Sequence, residues 1–541
     1  MFANMMEQPL LISSLLVHAE RHHGEREIVS RRVEGDIHRS NYRELARRTR
    51  QLAKALLALD LQSGDIAASL AWNGYRHLEL YYGVSGSGRV LHTLNPRLHP
   101  EQIAWIARHA QDKVLFFDLS FVALVEAIAP LLESVEHFVL LAGREHMPAG
   151  STIPGLLCYE ELLQAQDDRY AWPQFDERTA SSLCYTSGTT GDPKGVLYSH
   201  RSTVLHAYAA SLPDAHNLSA RDTVLPVVPL FHVNAWGLPY TSCLVGAKLV
   251  LPGAQLDGAS LYELFESEQV TFSCGVPTVW QGLLGYMEQT GRRLPHLRHV
   301  GIGGSACPPA MLAAFERDHG IDVLHGWGMT ETSPFCAGST LKAQHAGMDI
   351  EQRLVVKARQ GRVVFGVDVR TVNDDGSELP WDGRSAGHLQ VRGQWVLDRY
   401  FKGEQSPLQD GWFPTGDIAA IDADGYIQIT DRSKDVIKSG GEWIGSIDLE
   451  NVAMAHPAVA LAACVGVPHP KWDERPLLVV QRKPGAQIER DDLLAFYDGK
   501  VARWWTPDDV VFVDQIPLGN TGKVLKADLR KRFRGHRLPS A

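Results

Sequence analysis

The sequence predicts an α/β fold, with a large multi-layer N-terminal domain over residues 1–433 and a small α+β domain over residues 434–541. Three observations predict it. The 541 residues exceed the roughly 250–300 at which a single core stops growing. Short apolar runs alternate with helical patterns, which implies largely parallel strands covered by helices. After Tyr426 the composition shifts to a charge cluster, Asp431-Arg432-Ser433-Lys434-Asp435, followed by a turn-rich stretch. About a hundred residues remain, enough for a separate core.

The elements follow in order. The apolar run at residues 9–17 has no basic leader, is preceded by Glu7 and lacks a small-x-small cleavage site. It reads as a first helix packed on the body, not a signal peptide. No stretch is long enough to span a bilayer, and weak membrane association is the one membrane contact left open. Residues 41–60 read as a helix, because Asn41 and Glu44 fit a capping box and Leu45, Leu52, Leu56 and Leu59 share a face. Gly64-Asp65 ends that unit, and 66–70 reads as a buried strand. Further short strands are expected at 114–117, 138–141, 249–251 and 270–272, and in the small domain at 459–467 and 477–481.

Composition excludes several function classes. The 44% hydrophobic and 21% charged residues are those of an ordinary globular protein. A net charge of −10 argues against a general nucleic-acid binder. Seven dispersed cysteines without a C-x-x-C pair suggest reduced thiols in the cytoplasm, not a disulfide frame or zinc site.

The richest segment chemically is Tyr185-Thr186-Ser187-Gly188-Thr189-Thr190-Gly191-Asp192-Pro193-Lys194-Gly195-Val196. Its glycines let backbone N–H groups approach a ligand, its hydroxyls add to a concave anion site, and Lys194 brings a mobile positive charge. That set suits a polyphosphate. The order is not the Walker pattern, since Lys194 lies between Pro193 and Gly195. The bland alternative is a flexible Gly/Thr surface loop.

Other segments have the look of site loops, and each has its own bland reading. His232 and Trp236 stand one helical turn apart in 229–237, where a core aromatic pair is the simpler account. Gly326-Trp327-Gly328-Met329-Thr330-Glu331 offers an aromatic plane for a purine and a carboxylate for Mg²⁺. Thr415-Gly416-Asp417 could accept two ribose hydroxyls, though the tripeptide alone says little. Lys523 sits on the glycine loop 519–523, where a solvated turn lysine is the simpler account. A decoy is present as well. Gly301-Ile302-Gly303-Gly304-Ser305-Ala306, with Asp322 further on, has the spacing of a dinucleotide-binding fingerprint and keeps a Rossmann-type oxidoreductase as a remote alternative. That reading leaves the Thr/Gly/Lys loop, Trp327, Glu331 and Lys523 without roles.

Taken in order, these segments resemble the acyl-adenylate-forming superfamily of acyl-CoA synthetases, peptide-synthetase adenylation domains and beetle luciferases. The resemblance covers nearly the whole chain: the loop at 185–196, Phe231-His232, Gly328 to Glu331, Thr415 to Asp417, Asp431 to Asp435 and Gly522-Lys523. Phe231 to Gly237 and Ser439-Gly440-Gly441-Glu442-Trp443-Ile444 are similar to medium- and long-chain fatty acyl-CoA synthetases and 3-methylmercaptopropionyl-CoA ligases. Two departures stand out: Leu518-Gly519-Asn520 before Thr521, and Gly445 after Ile444.

The resemblance implies two mixed or parallel sheets, a distorted β-barrel and a mobile lid carrying the catalytic lysine. It implies an ATP-dependent ligase that joins a fatty or other small carboxylic acid to CoA through an acyl-AMP, with medium-chain acids favoured. Long-chain acids and 3-methylmercaptopropionate are the alternatives within the fold. Transfer to a carrier protein and a non-catalytic binding role are the others. Thr186, Ser187, Gly188, Thr189, Thr190, Gly191 and Lys194 would hold phosphates, with Mg²⁺ on Thr186 and Glu331. Ser305, Ala306, Cys307, Gly326, Trp327, Gly328, Met329 and Thr330 would frame the adenine, and Asp417 and Arg432 the ribose. His232, Val233, Trp236, Gly237, Gly303 and Gly304 would form the acyl pocket. Lys523 would bridge carboxylate and α-phosphate. Rotation about Lys434 would then bring Lys438, Ser439, Gly440, Gly441, Glu442 and Trp443 to the CoA channel. A homodimer is expected.

Overall fold

The computed structural model describes residues 4–186, 193–440, 442–519 and 522–541, and of Glu442 only the backbone. Two large sheets dominate it. The nine-stranded sheet has a parallel centre, in which Glu27–Arg31, Lys248–Leu251, Thr223–Pro226, Phe272–Gly275, His299–Ile302 and Asp322–Gly328 run side by side. Antiparallel strands flank it: Ile37–Asn41 at one edge, Phe335–Gly338 and Arg362–Val363 at the other. The seven-stranded sheet is parallel from Leu157–Cys158 to Ala180–Tyr185 and ends in the antiparallel strand Gly195–Ser199.

One continuous core joins the two sheets. It takes Ala67, Leu91 and Phe116 from the smaller sheet, Leu249 and Phe272 from the larger, and Leu52, Leu80 and Tyr240 from helices. Helix Tyr42–Ala58 forms as its pattern predicts, with Leu45, Leu52 and Leu56 buried. Only half of the expected capping box is present. The Asn41 side chain accepts from Glu44 N at 2.9 Å, whereas the Glu44 carboxylate turns to pair with Arg47 at 2.6 Å. The apolar N-terminal run becomes helix Ile12–His23, whose Ile12, Leu15 and Leu16 are buried. The strand expected at 270–272 starts instead at Phe272, because Val270 N bonds back to Phe265 O at 3.0 Å and closes the preceding helix.

The outer face of the larger sheet is sealed by Trp280, which has no exposed surface. Its indole N–H reaches Gly275 O at 3.1 Å and Gly301 O at 3.3 Å, tying helix Pro277–Thr290 to two strand ends. Trp280→Ala is expected to cost about 3–5 kcal/mol through lost burial and the cavity left behind. A drop in the urea midpoint without loss of the native baseline checks this.

A four-stranded antiparallel sheet follows, Val367–Val372, Gly387–Gly393, Phe413–Ile421 and Ile427–Arg432. It stands where the resemblance implies a distorted barrel, and among the described residues its strand pairing is an open order. Pairing then changes partners. The C-terminal segment forms its own five-stranded sheet from Ile437–Ser439, Glu442–Ile444, Val459–His469, Asp473–Arg482 and Asp509–Val513. Its core of Ile437, Ile444, Leu449, Cys464 and Leu478 is separate from the cores above. Among the described residues no helix is long and apolar enough to cross a membrane. All seven cysteines are free and buried.

Candidate active site

Parallel strands place their carboxyl ends along one edge, and the loops that follow converge there. A cavity of about 1600 Å³ opens at this edge, walled by both the large sheets' loops and the C-terminal segment. Thr186, Lys194, His232, Val233, Trp236, Gly303 to Ala306, Gly326 to Glu331, Arg432, Lys434 and Lys523 all line it.

The Thr/Gly/Lys loop is held as a hairpin. Tyr185 pairs with Gly195, Thr186 N donates to Lys194 O at 2.9 Å, and Lys194 N donates to Thr186 Oγ1 at 3.3 Å. Ser187, Gly188, Thr189, Thr190 and Gly191 lie outside the described residues. Lys194 Nζ sits 4.9 Å from the centre of the Tyr400 ring, and the Tyr400 hydroxyl donates to Glu331 Oε1 at 2.8 Å. Tyr400 therefore links the phosphate hairpin to the buried carboxylate. No pattern in the sequence singles it out, since it belongs to no loop motif.

Asp417 and Arg432 face each other by strand register, and their side chains pair at 2.9 Å. Trp327 Nε1 donates to the other Asp417 oxygen at 3.0 Å. Burial pushes the Asp417 pKa up, and Arg432 opposes that shift. Gly416, at φ +77°, makes the turn that lets the backbone enter this strand. Trp327 is nearly buried, so its indole serves this carboxylate as well as walling the cavity. Cys307 departs from expectation. Its side chain is buried in the core with Phe315 and Ile302, and it does not line the cavity. Ser305 and Ala306 do.

The segment from His232 to Gly237 is not the right-handed turn that the spacing suggests. Val233, Asn234, Ala235, Trp236 and Gly237 carry φ of +39°, +55°, +47°, +55° and +79°. Such a run costs about 1–2 kcal/mol per ordinary residue and survives only where its surroundings fix it. Asn234 supplies one anchor, donating from Nδ2 to Ser182 Oγ at 3.0 Å. Gly237 supplies another, because a Cβ there would lie 2.7 Å from the His206 ring. The turn aims Trp236 along Gly303 and Gly304, where added Cβ atoms would sit 3.3 and 3.7 Å from the indole. Gly237 itself lies behind the wall.

Lys523 enters this cavity from the C-terminal segment, its Cε 3.9 Å from where a Gly304 Cβ would be. The loop is closed by Gly519 N to Lys523 O at 2.7 Å and Leu525 N to Pro517 O at 2.9 Å, so the Leu518-Gly519 departure leaves the lysine presented. Asn520 lies outside the described residues. Burial, then Arg432, push the Lys523 pKa down to about 8, against Asp417 and Glu331. Burial and then Lys523 push His232 down to about 4, so His232 is neutral at pH 7. If the ammonium of Lys523 is the working form, it is fully present well below its pKa and lost as pH rises through it. The rate of any reaction that depends on this ammonium is therefore expected to fall as pH rises past about 8. A profile flat through that range contradicts the role.

Three residues further on, Lys526 ties the C-terminal segment together internally, and Ser446 carries that network across to Asp431. Lys526 pairs with Glu450 at 2.7 Å and donates to Ser446 Oγ at 2.5 Å, and Ser446 N donates to Asp431 Oδ2 at 2.6 Å. Arg530 holds Lys434 O at 3.0 Å and pairs with Asp435. Spacing gave no sign of this network. Gly445 proves to be packed against Thr430 O, 3.0 Å from an added Cβ, and does not line the cavity.

The structure does not bring Lys438, Ser439, Gly440 or Trp443 to the cavity. They lie on the hairpin Ile437–Ser439 and Glu442–Ile444, where Gly440 N bonds Trp472 O at 2.8 Å and Ser439 Oγ accepts from Arg475 at 3.2 Å. Gly441 lies outside the described residues. The dinucleotide reading also fails on geometry. Asp322 opens its strand at the edge opposite the site and pairs there with Lys357 and His299.

This architecture and its cavity are those of a nucleotide-dependent ligase fold, and the chain belongs to the AMP-binding enzyme family. The family's main profile matches residues 16–401, and its C-terminal domain profile matches residues 448–523. The chain is 54% identical over 535 residues to 3-methylmercaptopropionyl-CoA ligase of Ruegeria lacuscaerulensis, covering 99% of each. It is 50% identical over 534 residues to medium-chain-fatty-acid–CoA ligase of Ectopseudomonas oleovorans, covering 98% of each. It is 47% identical to long-chain-fatty-acid–CoA ligase of Thermus thermophilus, covering 99% of this chain and 97% of that one. Among solved structures it is similar to the anthranilate CoA ligase AuaEII bound to anthranoyl-AMP, with a TM-score of 0.86 at 25% identity over 97% and 98% of the two chains.

Proposed function

We propose that this chain is an ATP-dependent acid–thiol ligase for medium-chain carboxylic acids. In the first step a carboxylate oxygen attacks the α-phosphorus of ATP, and pyrophosphate leaves. In the second the CoA thiol attacks the acyl carbon, and AMP leaves. The observation that carries this reading is the placement of Lys523, from the C-terminal segment, in one cavity with His232, Glu331 and Arg432.

The first step is charge placement. Lys523 draws two anions together, the carboxylate and the α-phosphate. His232, neutral, lines the carboxylate end without competing for its charge. Asp417 does not itself line the cavity, and its oxygens are held by Arg432 and Trp327. From beside Arg432, which does line it, Asp417 would accept the ribose hydroxyls, while Ser305 and Ala306 would flank the base. Lys194 would meet the β- and γ-phosphates, and the hydroxyls of Ser187, Thr189 and Thr190, which lie outside the described residues, are expected to join it. One buried carboxylate in a cavity that Thr186 also lines fits Mg²⁺ carried in by ATP, which takes one or two carboxylates plus phosphate oxygens. Glu331, with Oε1 held by Tyr400, and Thr186 would hold it, and its charge would neutralise phosphate oxygens.

The second step requires the hairpin of Lys438 to Trp443, which now lies away from the cavity. Rotation about Lys434 withdraws Lys523 and brings that hairpin in, so that one cavity serves both reactions. A domain boundary at 433/434 is part of this proposal, and the change of strand partners between Ile427–Arg432 and Ile437–Ser439 supports it. Seven buried free thiols fit a cytoplasmic setting. The 54% relative supports 3-methylmercaptopropionate as a second candidate acid.

Pyrophosphate and AMP release across a panel of carboxylic acids, with CoA or an acyl-carrier protein as acceptor, tests the function. CoA-dependent thioester with one AMP per turnover supports it. No acid-dependent release with any member removes it.

A further inference from the structure

A polar group set in an otherwise apolar cavity wall gives a ligand a point of recognition. The wall near Val233, Cys274, Leu324 and Phe335 is apolar, yet His216 stands in it. His216 is 3% exposed and packs at 5.2 Å from Phe272 and 5.0 Å from Phe335, ring centre to ring centre. Among the described residues nothing beside the ring supplies a counter-charge, and burial pushes its pKa down to about 4, so it is neutral at pH 7.

Neighbouring buried histidines are satisfied. His206 Nε2 accepts from Phe335 N at 3.1 Å, and His325 bonds Cys307 N and Ala358 O. His216 is different. Its Nδ1 is enclosed without a partner, and among the described residues Nε2 makes no hydrogen bond either, though it is not enclosed in the same way. His92 and His200 also have an unpaired nitrogen, but neither lines this cavity. An enclosed N–H without an acceptor costs more than an enclosed lone pair. The lower-energy tautomer therefore leaves the lone pair on Nδ1 and the proton on Nε2, the nitrogen with access to the cavity.

We propose that His216 reads the tail of the acid. Its Nε2–H donates to a lone-pair atom in the chain, so the preferred substrate is a short or medium-chain carboxylic acid carrying one uncharged acceptor, a thioether sulfur or an ether or hydroxyl oxygen. This rests on the ligase function above and names its substrate class. An apolar pocket separates chains by length alone, whereas a donor also separates isosteres that differ in one atom.

The test is pyrophosphate release with matched pairs: hexanoate and heptanoate against analogues in which oxygen or sulfur replaces each methylene in turn, and against the hydroxy acids. In the wild type, kcat/KM for the analogue with the best-placed heteroatom is expected to exceed that of its alkanoate about fivefold to tenfold. His216→Phe and His216→Leu are expected to bring that ratio near one, and His216→Gln, which keeps a donor, to retain part of it. Two variants guard against one that fails to fold, and the wild-type ratio stands by itself. The proposal is overturned if alkanoates equal or beat every analogue in the wild type, or if the preference survives in both apolar variants. Absence of release with all acids is a different result, since it removes the ligase function itself.

Discussion

Lys523→Ala is expected to slow acyl-adenylate formation about 100-fold or more, a loss of roughly 3 kcal/mol of transition-state stabilisation. The lysine stands enclosed at the cavity wall, with Arg432, Asp417 and Glu331 setting its field. No other described cation occupies its place beside Gly304. Supplied with ready-made acyl-AMP and CoA, the same variant is expected to form thioester at close to the wild-type rate, because the proposed rotation withdraws Lys523 before the second reaction. Separate assays of the two half-reactions decide this. Equal loss in both contradicts rotation of the C-terminal segment.

Glu331→Gln comes second in expected size. The substitution keeps the shape and an oxygen for the Tyr400 hydroxyl, which now bonds Oε1 at 2.8 Å. It removes the negative charge that would meet Mg²⁺. The kcat/KM for Mg·ATP is expected to fall about 50-fold, with the melting temperature nearly unchanged. Pyrophosphate release over a magnesium titration is the measurement. Unchanged metal dependence counts against Glu331 as the ligand.

Much of the site was legible because its chemistry is local. Thr186 with Lys194 and Gly326 to Glu331 each combine a strand end with glycines and functional side chains, whereas Thr415 to Asp417 lie within the antiparallel strand Phe413–Ile421. Parallel topology then gathers such loops at one edge. Lys523, which alone reads as a solvated turn lysine, joins them through tertiary placement. What stayed hidden depends on register and packing. Tyr400 reaches Glu331 from far along the chain. Lys526 meets Glu450 and Ser446, some 80 residues earlier in the chain, through the folding of the C-terminal segment itself. Cys307 follows glycines and a serine that do line the cavity, yet it turns into the core. The left-handed turn at 233–237 could not be read from spacing, because several of its residues disfavour that conformation and only contacts such as Asn234 to Ser182 sustain it.

In the proposed function, acid and ATP react alone, before any thiol, in the cavity that Lys523 completes. Exchange of labelled pyrophosphate into ATP measures that reaction directly. With a good acid and no CoA, label is expected to appear in ATP, to depend on the acid, and to vanish in Lys523→Ala. Exchange that requires CoA, or that persists at full rate without Lys523, contradicts it.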